Sequence, residues 1–267
     1  HDVVAMLRRR FDERQVGHGG TLDPSATGVL VVAVGKATKL LRFVEKTSKA
    51  YVGEIVFGTE TDTLDADGEV TATHEMGDID LAAAQAAVDE HLLGDIEQIP
   101  PMVSAIKIDG KRLHELAREG VEVDRPPRPV TIYSFSLMPT GEPDILLAAV
   151  ECGSGTYIRT LAADLGHLLG GGAHLRNLRR TAVGQFTLGE AAGPDDCELL
   201  PVEDAVRTLT RVDATAQLAD LVANGRVLPA WEGPGPWAVF GPSGSLLAVY
   251  ERYGSTEAKP MVVVPQS

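Results

Sequence analysis

Gly17-His18-Gly19-Gly20-Thr21-Leu22-Asp23-Pro24 and, three residues on, Gly28-Val29-Leu30-Val31-Val32-Ala33-Val34-Gly35 set the reading of this 267-residue chain. The first octet cannot be regular helix or strand. Its glycines permit close backbone approach to a ligand, and Pro24 restricts Asp23 to an extended conformation. A carboxylate held in a defined direction beside an imidazole suits a nucleophile or a base. It suits equally a glycine-rich turn whose Asp accepts backbone N–H groups. The second octet is a continuous apolar run of buried-strand length, which predicts a strand over residues 28–35.

Upstream, Val3, Val4, Leu7 and Phe11 recur at helical spacing and predict an amphipathic helix over residues 2–11. Downstream, Tyr51 to Phe57 reads as a strand followed by an acidic, turn-rich loop around Asp62, Asp65, Asp67 and Gly68. A helix marked by Leu81, Ala84, Val88 and Leu92 starts at Asp80, its N-cap, and stops near Gly94. Residues 98–129 have prolines at both ends and a basic, partly helical middle, an excursion long enough to be functional. Strands are predicted over Val130–Leu137 and Ile145–Cys152, and a helix capped by Thr156 over Thr156–Leu169. At that strand-to-helix junction, Gly153-Ser154-Gly155-Thr156-Tyr157-Ile158-Arg159 either presents a ring and a guanidinium to a pocket or places Tyr157 in the core and Arg159 on the surface. After residue 210, short apolar runs between Gly/Pro turns give the texture of a small β-barrel or sandwich.

A net charge of −14 argues, taken whole, against a nucleic-acid partner. Its distribution reverses that inference. Residues 51–100 hold 13 acidic side chains and no Lys or Arg, and the other 217 residues together carry only −1. Basic groups cluster at Arg8-Arg9-Arg10, along Lys36, Lys39, Arg42, Lys46 and Lys49, at Lys107, Lys111, Arg112 and Arg118, at Arg125 and Arg128, and at Arg176, Arg179 and Arg180. A polarised surface is expected. No stretch is apolar enough for a membrane span. Cys152 and Cys197 have no CxxC partner and read as buried thiols of a reducing cytosol.

Several chemistries are set aside. Thr63-Leu64-Asp65-Ala66-Asp67-Gly68 mimics part of a calcium loop, but Thr63 holds the first ligand position and His74 the twelfth. There is no Walker loop, and Gly153-Ser154-Gly155 lacks the spacing of a hydrolase elbow. His167 and His174, seven apart, do not share one face of a short helix as metal ligands.

Taken in order, four blocks resemble the TruB family of tRNA pseudouridine synthases: Gly17–Pro24 running on to Lys39; Lys49-Ala50-Tyr51 with Gly58, Thr61, Thr63, Asp65 and Gly68; Gln98-Ile99-Pro100-Pro101 with Ser104-Ala105-Ile106-Lys107 and Gly110; and Gly155–Arg159 with Gly172-Ala173-His174-Leu175 and Leu178-Arg179-Arg180-Thr181. The likeness covers about residues 2–186 and, weakly, the C-terminal part. It implies an α/β chain of α+β type: a pseudouridine synthase fold with a mixed, mainly antiparallel sheet over residues 1–210, then a small PUA-like β module over 211–267. It also implies isomerisation of uridine 55 in the T loop of tRNA.

By the same resemblance Asp23 is the catalytic carboxylate, attacking C1′ or C6 of a flipped-out nucleotide. Arg159 keeps it oriented and charged. Tyr51 stacks on the target base, and Tyr157 stands near C5 as a candidate for proton removal. His18 fills the place the base leaves, Leu178 packs beside the base, and Gly19, Gly20 and Thr21 complete the substrate-binding loop. The excursion over residues 100–129 resembles a loop that folds over the T loop, Lys107 with Lys111, Arg112 and Arg118 meeting phosphates. His114 stands where the family has tyrosine. No metal or organic cofactor is implied. The expected partner is tRNA, through its T arm and, with the C-terminal module, its acceptor arm, met by a cytoplasmic monomer without a membrane anchor. The family carries a Lys-Pro-containing strand ahead of the segment matching His1-Asp2-Val3-Val4, so a longer native chain is expected. Two rivals from other classes remain: a non-catalytic RNA chaperone, which needs the basic clusters but not Asp23 or Tyr157, and a small-molecule enzyme that binds phosphate on the glycine-rich loop.

Overall fold

Lys49-Ala50-Tyr51-Val52-Gly53-Glu54-Ile55-Val56-Phe57 forms the central strand because its β-branched and aromatic side chains fit a pleated, largely covered surface. Around it, a computed structural model describes residues 2–104, 107–108, 111–112 and 123–265. In chain order come α1 (Asp2–Arg10), β1 (Val16–His18), β2 (Thr27–Gly28), β3 (Val32–Val34), α2 (Leu41–Val44), β4 (Lys49–Phe57), β5 (Thr59–Thr61), β6 (Val70–Thr73), α3 (Leu81–His91) and β7 (Gly94–Gln98). Then follow β8 (Lys107–Ile108), β9 (Lys111–Arg112), β10 (Arg128–Pro139), β11 (Ile145–Cys152), α4 (Ile158–Leu168), β12 (Ala173–Val183) and β13 (Phe186–Thr187). The last described part contains β14 (Thr210–Asp213), α5 (Ala216–Ala223), β15 (Leu228–Pro229), β16 (Trp237–Phe240), β17 (Leu246–Tyr253) and β18 (Glu257–Val263). The chain divides into two compact units, one of residues 22–29 and 47–183 and one of residues 1–21, 30–46 and 184–267.

In the unit holding Asp23, the sheet order is β12-β4-β11-β10-β7, every pair antiparallel, with β2 alone running parallel to β12. Helices α3 and α4 contribute Ala84, Val88, Leu161 and Leu165 to one core with Ile55, Phe57, Phe135 and Ala148 of the sheet. Full burial of each larger aliphatic side chain contributes about 1.5–3 kcal/mol. Asp80 caps α3 as its sequence predicts, its Oδ1 accepting the Ala82 N–H at 2.9 Å. Thr156 does not cap α4. Its hydroxyl donates back to Gly153 O at 3.0 Å, and the cap position falls to Tyr157, which makes no side-chain capping bond.

In the other unit, β14-β16-β17-β18-β15 form a five-stranded sheet whose one core gathers Trp237, Tyr250 and the edge-on Trp231. A second core there joins Phe240 and Leu246 to Leu40 and Phe43, so the C-terminal sheet is completed by residues from early in the chain.

The apolar run 28–35 is not one strand. Val32–Val34 pairs with β1, whereas Val29 N donates to Arg180 O at 2.9 Å, so the segment changes partner partway and its strand ends at Gly28. Two basic residues expected on the surface are buried: Arg180, whose Nε donates to Val29 O at 2.7 Å, and Lys49, whose ammonium donates to Thr47 O. Cys152 is buried, which pushes its thiol up to about 11, but Cys197 is only half-buried. His174 is satisfied in the core by Thr59 O.

Gly28 shows how tightly β2 meets β12. It adopts φ +103°, and a Cβ there would come 2.1 Å from Arg180 O. Gly28→Ala is expected to cost about 3 kcal/mol through overpacking and a disallowed backbone conformation, read as a lower urea midpoint. An unchanged midpoint would show that β2 does not need this close approach.

Candidate active site

Arg159 lies in the first turn of α4 and is 3% exposed. Burying a guanidinium costs several kcal/mol unless its donors are met. Three segments meet them. Nη2 donates to Asp23 Oδ1 at 3.1 Å and to Val103 O at 2.9 Å, and Nη1 donates to Thr63 O at 2.8 Å while lying 3.3 Å from Asp65 Oδ2. Nε sits 2.8 Å from Asp23 Oδ2, a close charge contact not aligned as a hydrogen bond. The cation therefore grips both oxygens of Asp23. The Asp23 side chain remains 32% exposed, facing an open cleft lined by Ser25, Asp65, Ala66, Leu175, Asn177 and Leu178.

Two local irregularities shape that cleft. Leu64 takes φ 62°, which turns the 62–68 loop; the loop then docks along β12 through Leu175 N to Leu64 O and Ala66 N to Leu175 O, both 3.0 Å. Asp65 is fixed in this loop by Thr63 Oγ1 at 2.6 Å and the Asp67 N–H at 3.2 Å, both on Oδ1, leaving Oδ2 to Arg159. In β12 the register against β4 shifts between Arg176 and Arg179, and Asn177 takes φ 55°. A bulge of this kind re-aims a side chain, here placing Leu178 in the cleft. Glu54 Oε2 pins the bulge by accepting from Arg176 Nε at 2.6 Å and Asn177 Nδ2 at 2.8 Å.

Burial pushes the phenols of both tyrosines expected at the site up, and the charge of Asp23 adds a small upward push to each. A hydrogen bond from Arg180 opposes it at Tyr51, and one with Ser104 opposes it at Tyr157. Both stay neutral phenols at neutral pH.

Asp23, Arg159 and Leu178 are thus brought into one cleft, with Tyr51 and Tyr157 coupled to it. His18, Gly19, Gly20 and Thr21 belong to the other unit. There His18 pairs with Val32 in the β1–β3 ladder and its Nδ1 is buried without a hydrogen-bond partner among the described residues, while Gly19 N donates to Val31 O at 2.8 Å. Lys107, Lys111 and Arg112 lie on β8 and β9, their side chains outside the description, and His114 and Arg118 lie outside the described residues. Among the described residues, no group of three or more His, Cys, Asp or Glu is placed to hold a metal ion.

Sequence reasoning missed Asp65 and the carbonyls of Thr63 and Val103 as partners of Arg159. Asp65 had a signal, since it belongs to the calcium-like loop pattern, but that pattern pointed to the wrong cation. The carbonyls had none.

Comparison with known proteins gives the following likenesses. A family described as "TruB family pseudouridylate synthase (N terminal domain)" matches residues 8–158, and two C-terminal TruB families match residues 159–223 and 209–265. The tRNA pseudouridine synthase B of Streptomyces coelicolor is 46% identical, over 98% of this chain and 92% of its own. That of Geobacillus thermodenitrificans is 40% identical, over 99% and 93%. A chain from an H/ACA RNP bound to a substrate RNA containing 2'-deoxyuridine shares the fold at TM-score 0.72 and 23% identity, over 99% of this chain and 81% of that one.

Lysine keeps the charge at position 159 but cannot reach four acceptors in a fork. Arg159→Lys is expected to lower the melting temperature by roughly 5–10 °C, measured by differential scanning calorimetry. A change under one degree would show that one point charge suffices.

Proposed function

Because the chain belongs to the TruB family of pseudouridylate synthases, we propose that it isomerises uridine 55 in the T loop of tRNA to pseudouridine, with Asp23 as nucleophile. The observation that carries this reading is the Asp23–Arg159 contact: a carboxylate gripped through both oxygens by a buried cation, yet open to a cleft.

The carboxylate bonds to C1′ or to C6, the N1–C1′ bond breaks, the uracil turns, C5 bonds to C1′, and the bond between Asp23 and the substrate carbon breaks to return the free carboxylate. The C5 proton then leaves and N1 takes one up, so the product is an isomer and no cofactor is consumed. Swinging the base out of the loop costs roughly a few kcal/mol. In this reading Tyr51 and Leu178 hold the extruded uracil between them, and His18, with Gly19, Gly20 and Thr21, takes the place it leaves in the RNA. Tyr157, a neutral phenol bonded to Ser104, accepts the C5 proton only by passing its own on, so it acts as a relay and not as a stored base. Residues 1–210 are read as the catalytic part and 211–267 as an RNA-binding module for the acceptor arm. The enzyme works as a cytoplasmic monomer, with Lys107 and its neighbours in the 100–129 excursion meeting phosphates.

Asp23→Asn is expected to fold, to bind tRNA within about threefold of wild type, and to release no tritium from a transcript carrying 5-tritiated uridine. Release at the wild-type rate removes Asp23 from the chemistry and favours the RNA-chaperone reading if binding persists. Binding of wild type to tRNA should also fall steeply as salt rises, through counterion release; affinity flat between 50 and 200 mM salt contradicts an interface built on phosphate contacts.

A further inference from the structure

The turn that delivers Tyr157 and Arg159 is tied at its start, where the Gly153 N–H donates to Thr131 O at 2.8 Å and the Thr156 hydroxyl closes back on Gly153 O at 3.0 Å. Beyond that, Gly155 takes φ +90° with no described atom within 4 Å of where a Cβ would stand, and α4 begins without a side-chain cap, so the Tyr157 end of the turn needs a partner from elsewhere. Tyr157 itself is extended, at φ −102° and ψ 108°, so its N–H and C=O point to the same side; the C=O already accepts the Leu161 N–H of the first helical turn at 3.2 Å, with a second lone pair to spare, and the N–H has no acceptor within the helix. The partner is a side chain. Gln98, at the end of β7 and 1% exposed, accepts the Tyr157 N–H on Oε1 at 3.0 Å and donates from Nε2 to Tyr157 O at 3.2 Å. Five and six residues later the same segment supplies Val103 O to Arg159 and Ser104 to the Tyr157 phenol.

We propose that Gln98 is a positioning residue for the reaction: its amide stands in for a neighbouring strand and fixes the turn from which Tyr157 and Arg159 reach Asp23. The proposal rests on the reading of the chain as a pseudouridine synthase acting through Asp23. The amide is needed because it offers one acceptor and one donor 59 residues away in sequence from a backbone that presents one of each. Methionine has the length but neither group. A carboxylate keeps the acceptor and loses the donor, which only its protonated form restores.

The test measures tritium release by the full chain on tRNA transcript, with wild type, Gln98→Met and Gln98→Glu side by side, and with folding checked by circular dichroism. Gln98→Met is expected to lose roughly 10- to 100-fold in kcat, as expected for a misplacement near 1 Å, with KM for tRNA within about threefold of wild type. For Gln98→Glu, the ratio of its kcat to that of wild type is expected to rise as pH falls from 8 to 6, because burial raises the introduced carboxyl and protonation restores the donor. A kcat for Gln98→Met within twofold of wild type, or a flat ratio for Gln98→Glu, overturns the proposal. Failure of both variants to fold also overturns it, assigning Gln98 to the core alone. An inactive wild type sinks the reading of the activity and this proposal with it, whereas an active wild type beside an unchanged Gln98→Met sinks this proposal alone.

Discussion

The buried guanidinium of Arg159 is the constraint on which the unit around Asp23 depends. A cation taken out of water is tolerable only where its donors are met, and here the acceptors come from Asp23, Thr63, Asp65 and Val103. Those four positions belong to three stretches of chain, and Arg159 itself to a fourth. The requirement to satisfy one side chain therefore draws together the segment next to β2, the 62–68 loop, the run after β7 and the start of α4. Fold and cleft share this requirement, because the group that grips both oxygens of Asp23 is also the group that closes its unit around it.

Beneath the cleft the architecture is regular, and at the cleft it is not. The β12-β4-β11-β10-β7 ladder is a plain antiparallel sheet, whereas the cleft wall contains Leu64 and Asn177 in left-handed conformations. Such conformations cost of order 1–3 kcal/mol each for a non-glycine residue and persist where the surroundings over-determine them. Both are pinned, the first by ladder-like bonds to Leu175 and the second by Glu54. The acidic stretch 51–100 gains a partial account from this, since Glu54 and Asp65 each serve an arginine of the site region.

Much of this was legible from sequence where the signal was local. The spacing of Leu81, Ala84, Val88 and Leu92 with Asp80 gave α3 and its cap, and the run Ile145–Cys152 gave β11 to the residue. Glycines around both, and Pro24 beside Asp23, drew attention to Asp23 and Arg159, but their residues alone left a structural role equally open, and only the family resemblance paired them. What escaped was decided by tertiary partners. Arg180 read as surface charge because nothing in Leu-Arg-Arg-Thr says which arginine turns inward; the pairing of β12 with β2 and β4 decides it. Thr156 looked like a cap by residue type, but Gln98, distant in sequence, satisfies the helix entry instead. The run 28–35 looked continuous because apolar periodicity does not reveal a change of partner. Packing of Leu40 and Phe43 with Phe240 has no sequence signature, being a non-directional contact.

The interleaving of the two units has a consequence for how the molecule is made. Val29 and the arginine that receives it are 151 residues apart, and a ribosome adding roughly 5–20 residues per second needs roughly 8–30 s to cover that interval. Throughout it the segment beside Asp23 has been synthesised but has no ladder to join, and residues 1–21 and 30–46 wait longer still for 184–267. Neither half matures as a contiguous piece of nascent chain, so the seat of Asp23 is assembled only when the last strand of its own unit has left the exit tunnel.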